Sequence, residues 1–120
     1  MTSAADFLHD LAGRFPQLAE DYECHVENNG GPLPHVFFWD VIQAVVHAYN
    51  GTDACHADLD WRGLLQYLEE VYPTAPLTVK EVIVTSFLEY LPWPAEPGYP
   101  IVAELGPVLG EKFRQVRPAG

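Results

Sequence analysis

The sequence predicts an all-α fold, a compact single-domain bundle of five to six helices around a central apolar helix at about residues 34–50. Three observations predict it. Apolar residues recur at helical spacing through most of the chain, and proline and glycine stand where such segments start and stop. No stretch alternates apolar and polar residues as a half-buried strand does. At 120 residues the chain has the length of one domain and can bury a core without disulfides or metal. No repeat, low-complexity tract or linker divides it, so residues 1–120 read as a single unit.

Taken in order, Ser3 with Asp6 forms a loose capping box ahead of Phe7, Leu8, Leu11 and Phe15, which predicts a first helix from about 4 to 15. Pro16 suits the first turn of a second helix with Leu18, Tyr22 and Val26 inward, and Asn28-Asn29-Gly30-Gly31 stops it. Pro34 and Gly51 bracket a third helix whose positions from Val36 to Tyr49 are mostly apolar, Trp39 included. A helix that is apolar nearly all round, yet shorter than the ~20 residues needed to span a bilayer, belongs at the centre of a core. Asp58 or Asp60 then caps a fourth helix that turns Trp61, Leu64, Leu65, Leu68, Val71 and Tyr72 inward and Glu69 outward. Thr78 to Glu81 matches a capping box, which predicts a fifth helix over 79–91 burying Val79, Ile83, Phe87 and Tyr90. The run PWPAEPGYP cannot stay helical, and a last helix from about Pro100 is expected to restart at Gly106-Pro107.

Charge narrows the partners. Seventeen acids against six bases give a net charge of −11, and three of those bases lie in the last nine residues. A field of that sign repels phosphates and anionic headgroups, which excludes nucleic acid and membrane surfaces and favours a basic protein. The first fifteen residues carry no basic stretch and no continuous apolar run, so the expectation is a cytoplasmic protein. Its two cysteines are then expected as free thiols.

The segments LPHVFFWDVIQAVV, EVIVTSFLEYLP and IVAELGPVLGEKF resemble an uncharacterised family of short acidic bacterial domains. That resemblance implies an all-helical cytoplasmic domain and supplies no catalytic residues. In size, acidity and helical make-up the chain is also similar to bacterial immunity proteins, which neutralise a toxin by covering its active surface.

Four features could carry function. Cys24-His25 and Cys55-His56 repeat one dipeptide, but helical neighbours point about 100° apart and no zinc spacing such as Cys-x-x-Cys is present. Neither pair is expected to hold metal, and no cofactor is expected. Asp40, Gln43, His47 and Asn50 form a polar stripe on the third helix; Asp40 and His47 are about 10.5 Å apart along it, beyond direct hydrogen bonding. The acids Glu20, Asp21, Glu23, Glu27, Asp53, Asp58 and Asp60 can form one negative patch, and Trp93 and Tyr99 in a proline-stiffened loop can anchor an interface or close over the core. The resulting expectation is not an enzyme but a protein-binding module, an immunity or antitoxin-like inhibitor whose acidic face covers a basic toxin or enzyme surface. Two alternatives are a small-molecule or metal-binding domain, enzymatic or not, using Asp40, His47 and the Cys-His pairs, and a scaffold or homo-oligomerisation module.

Overall fold

A computed structural model of the chain describes residues 3–51 and 58–120, and all its regular structure is helical. The first helix, α1 (Ala4–Arg14), begins with the expected capping box: Ser3 Oγ accepts from the Asp6 amide at 3.1 Å and the Asp6 carboxylate accepts from the Ser3 amide at 3.3 Å. Phe7, Leu8 and Leu11 are buried on one side of it. Helix α2 (Pro16–Asn29) follows after a single residue and stops at Gly30, whose φ of 71° is open to glycine at little cost. Helix α3 (Pro34–Asn50) ends in the same way at Gly51.

Helix α3 corrects one expectation. Its Phe37, Phe38, Val41, Ile42, Ala44 and Val45 are buried, but Val36 and Trp39 are 52% and 51% exposed, so the helix is not apolar all round in its setting. Position explains the difference: residues 36, 39, 40, 43 and 47 fall on one stripe at spacings of three and four. Composition alone could not distinguish the outward Trp39 from its inward neighbour Phe38.

Helix α4 (Trp61–Val71) is capped by Asp60, whose Oδ1 accepts from the Gly63 amide at 2.9 Å. Helix α5 (Leu77–Ser86) starts two residues before the expected position 79, because the Pro76 carbonyl already accepts from the Val79 and Lys80 amides at 3.0 Å. It also stops earlier than expected. Phe87 leaves helical geometry at φ −125° and ψ −63°, and a 3-10 turn over Leu88–Tyr90 takes over. A 3-10 turn advances about 120° per residue against about 100° in an α-helix. With that change of phase Phe87 and Leu88 remain buried, whereas Tyr90, expected inside, is 56% exposed.

A further 3-10 segment (Tyr99–Glu104) leads to α6 (Pro107–Val116), restarted at Gly106-Pro107 as expected. The cap of α6 comes from another helix. Glu69 of α4, expected to face solvent, accepts from the Val108 and Leu109 amides, both at 2.8 Å. Its carboxylate therefore meets the positive end of the α6 dipole.

The core lies where α3 and α5 cross, with α1, α2 and α4 against α3, and α1 and α6 against α5. Stacked Phe7 and Phe38 (5.7 Å between ring centres) and the edge-on pair Phe38 and Phe87 (6.2 Å) join α1, α3 and the end of α5. Burying a side chain of this size contributes about 1.5–3 kcal/mol. The frame around α3 is thus fixed from four sides, and the stripe from Val36 to His47 faces outward, with His35 exposed beside it.

Candidate functional site

Three grooves run together around the outward stripe of α3. One, of about 340 Å³, lies between α2 and α3 and is lined by Asp21, Cys24, Asp40, Gln43 and His47 among others. A cleft of about 450 Å³ separates α3 from residues 90–97, with Trp39, Ile42, Val46, Tyr90, Pro92 and Pro97 as apolar walls. A third groove, of about 360 Å³, is bounded by His35, Val36, Trp39, Ser86 and Tyr90. Gln43 and His47 border the first two, Trp39 and Tyr90 the last two, and Val36 the first and third. The surface is therefore continuous.

At its centre stands an exposed aromatic pair. Trp39 and Tyr90 meet edge to face with ring centres 5.5 Å apart. Such a contact restrains both rings. Neither was expected in the site: Trp39 was assigned to the core by its apolar neighbours and Tyr90 by the phase of an uninterrupted helix. The available signal was the Tyr-Leu-Pro-Trp-Pro sequence at 90–94, which forces the chain out of α-helix close to Tyr90.

Charge is segregated around this surface. No lysine or arginine lines any of the three grooves, whereas Asp21, Asp40 and Glu96 do. Four of the six cations lie over aromatic rings outside these grooves: Arg14 over Tyr67, Arg62 over Trp61, Lys80 over Tyr72, and Arg117 over both Trp93 and Phe113, at 3.9–5.5 Å. Glu20, Glu23 and Glu27 are exposed on the adjoining α2, and Asp21 is half-buried at the groove edge.

The Cys-His dipeptide on α2 divides as its geometry requires. Cys24 is exposed in the groove, and His25 is buried at 5% exposure. The His25 Nε2 accepts from the Leu33 amide at 2.8 Å, and Asn29 Nδ2 lies 3.2 Å from Nδ1. That nitrogen therefore holds the turn between α2 and α3 and offers no lone pair to a metal. Asp53, Cys55 and His56 lie outside the described residues. Among the described residues, no three His, Cys, Asp or Glu side chains are grouped to hold an ion.

One serine and histidine pair invites a catalytic reading. His35 Nδ1 is 2.5 Å from Ser86 Oγ and 3.3 Å from Thr85 Oγ1. The Thr85 hydroxyl donates to the Glu81 carbonyl at 2.6 Å, so toward His35 it can only accept. Through these two hydroxyls His35 ties the start of α3 to the end of α5.

Other expected site residues have structural roles. Asp60 caps α4, while Asp58 is exposed just before it. Trp93 is half-exposed with the Arg117 guanidinium 3.9 Å from its ring centre, and Tyr99 borders the hollow beside the C-terminal residues. Neither borders the α3 grooves. Another hollow, of about 680 Å³, opens between α1, α4 and α5 beside His9, Asp10, Arg14, Tyr67 and Glu70. Burial raises the Tyr67 phenol above its ordinary pKa, with Asp10 adding to the rise and Arg14 opposing it. Its rim mixes both signs of charge and includes no exposed aromatic, so it lacks what distinguishes the α3 surface. Comparison of the chain with protein-family models, with curated proteins and with solved structures gives no match.

Proposed function

We propose that the chain is a protein-binding module whose α2–α3 face covers a basic surface on another protein, in the manner of an immunity or antitoxin-like inhibitor. The observation that carries this reading is the segregation of charge: exposed aromatics and carboxylates share one face from which lysine and arginine are absent. Opposite charge steers encounter, and apolar contacts at the centre hold the complex.

Local energetics support it. On α2, Glu20 and Glu23 are three apart, and Glu23 and Glu27 four apart, with no base on that helix to separate them. Each like-charged pair costs about 0.2–0.5 kcal/mol. Glu27 also stands in the last turn, where the helix dipole disfavours an anion. Acids kept where local physics opposes them are expected where a partner uses them.

The test is capture from the native host at low and high salt with the wild-type chain and with Glu20→Lys, Glu23→Lys, Glu27→Lys combined. The expected result is a stoichiometric basic protein that salt releases from the wild type and that the triple variant does not hold. Equal capture by both chains, insensitive to salt, would refute the charge-based reading.

A further inference from the structure

We propose that the cleft between α3 and residues 90–97 is the anchor pocket of this interface: it takes an apolar side chain of a basic partner segment, with a neighbouring lysine or arginine of that segment meeting Glu96. The inference rests on the functional reading above and adds to it the place and chemistry of the central contact.

The cleft has the make-up of a specific pocket, with apolar walls and a few polar groups along one side: Gln43, His47, Asn50 and Glu96. Its volume of about 450 Å³ falls in the range of small-ligand pockets, about 300–1,000 Å³, and accommodates a large side chain. Trp39 and Tyr90 form its rim, half-exposed and braced against each other. Tryptophan and tyrosine in such settings are the residues on which binding energy concentrates.

The far wall is built in advance. Glu96 Oε1 accepts from the Trp93 amide and the Glu96 amide donates to the Trp93 carbonyl, both at 2.8 Å, closing a tight turn. Gly98, at φ 92°, lets the chain press on α3, where an added Cβ would come within 3.0 Å of Asn50 Nδ2 and 3.1 Å of Val46 Cγ1. Beneath the turn, Arg117 donates to the carbonyls of Leu91 and Pro92. A wall held this way loses little freedom on binding.

Charge selects the occupant. With a net charge of −11 on each chain, a second copy would bring Asp40 and Glu96 against acids of its own kind, whereas a segment carrying lysine or arginine is attracted. Glu96 commits one carboxylate oxygen to the Trp93 turn and already acts on the charge of Arg117, so a partner cation meets a carboxylate that Arg117 offsets only in part.

Three acetylated hexapeptides test the proposal by amide and indole NMR shifts on the full chain: Lys-Arg-Phe-Leu-Lys-Arg, Lys-Arg-Ser-Gly-Lys-Arg and Glu-Asp-Phe-Leu-Glu-Asp. The first is expected to shift the Trp39 indole and the Val46 and Tyr90 amides saturably, and to bind about tenfold or more tightly than the other two. Trp39→Ala, a surface change whose folding is checked by circular dichroism, is expected to remove that advantage. Glu96→Gln keeps an oxygen for the Trp93 amide and should narrow the gap between the first and third peptides. If both basic peptides bind equally and shift only α2, the acidic face stands and the anchor pocket is wrong. Equal binding of the acidic apolar peptide would overturn the basic partner. Dimerisation that Trp39→Ala abolishes would assign the cleft to a second copy instead, and no binding by any peptide would refute pocket and acidic face together.

Discussion

His25 shows how much one ring nitrogen can decide. Because its Nε2 receives the Leu33 amide at the start of α3, His25→Ala leaves a donor without its acceptor in a closely packed turn. The expected loss is about 1–3 kcal/mol in urea unfolding, with the α3 amides exchanging faster. A histidine beside a cysteine on a helix signals metal or catalysis as readily as structure, and only the three-dimensional partner, eight residues away, resolves which. Tyr67 offers a pH test. Its folded pKa lies above the ordinary 10.0, so the folded state retains the phenolic proton more tightly than the unfolded chain. That contribution is complete below pH 10 and is lost as pH rises through the raised value. Tyr67→Phe keeps the ring packing and should therefore show a smaller fall in stability on the alkaline side, as measured by thermal unfolding across a pH series.

Between elements, the decisive contacts are those that sequence neighbours cannot announce. Glu69 caps α6 from 39 and 40 residues away, so Glu69→Ala is expected to cost about 0.5–2 kcal/mol and to free the first amides of α6 in hydrogen exchange. Glu69→Asp, too short to span the gap, should recover little. The starts and stops of α1, α2 and α3 were legible because their signals are local: a capping box, prolines in the first turn, glycines beyond the last. The end of α5 was not. Its apolar spacing continues through Tyr90, but the backbone turns at Phe87, and that change of helix type moves one tyrosine from the expected core to the surface. Trp39 was missed for the complementary reason: it follows two buried phenylalanines in an apolar run, but its own position falls on the outward stripe with Val36, Asp40 and Gln43.

For the molecule as a whole, charge sets the trend. A net charge of −11 within principal extents of 37 × 34 × 21 Å opposes compaction, so added salt should raise the midpoint of thermal unfolding at neutral pH. A single Glu23→Lys turns two repulsive pairs on α2 into attractive ones and is expected to stabilise the fold by about 0.5–1 kcal/mol. If the functional reading holds, the same variant binds its partner less tightly; a gain in both would argue that the acids are a solvated face. The acidity was plain from composition, but its arrangement was not, since the sequence does not reveal that four of the six cations lie over aromatic rings.

The contact between Arg117 and the residues around it also bears on how the protein is handled at the bench. The guanidinium donates to the carbonyls of Leu91, Pro92 and Gly120, which places Gly120 on the loop that forms the cleft wall. A side chain at position 120 would run into Pro94 and approach the Tyr99 hydroxyl, so a substitution there pushes on the back of the loop that forms the cleft wall. Gly120 itself borders the hollow beside Tyr99 and Arg117 and not the α3 grooves, so a reporter for the proposed interaction is best placed with Gly120 left unchanged.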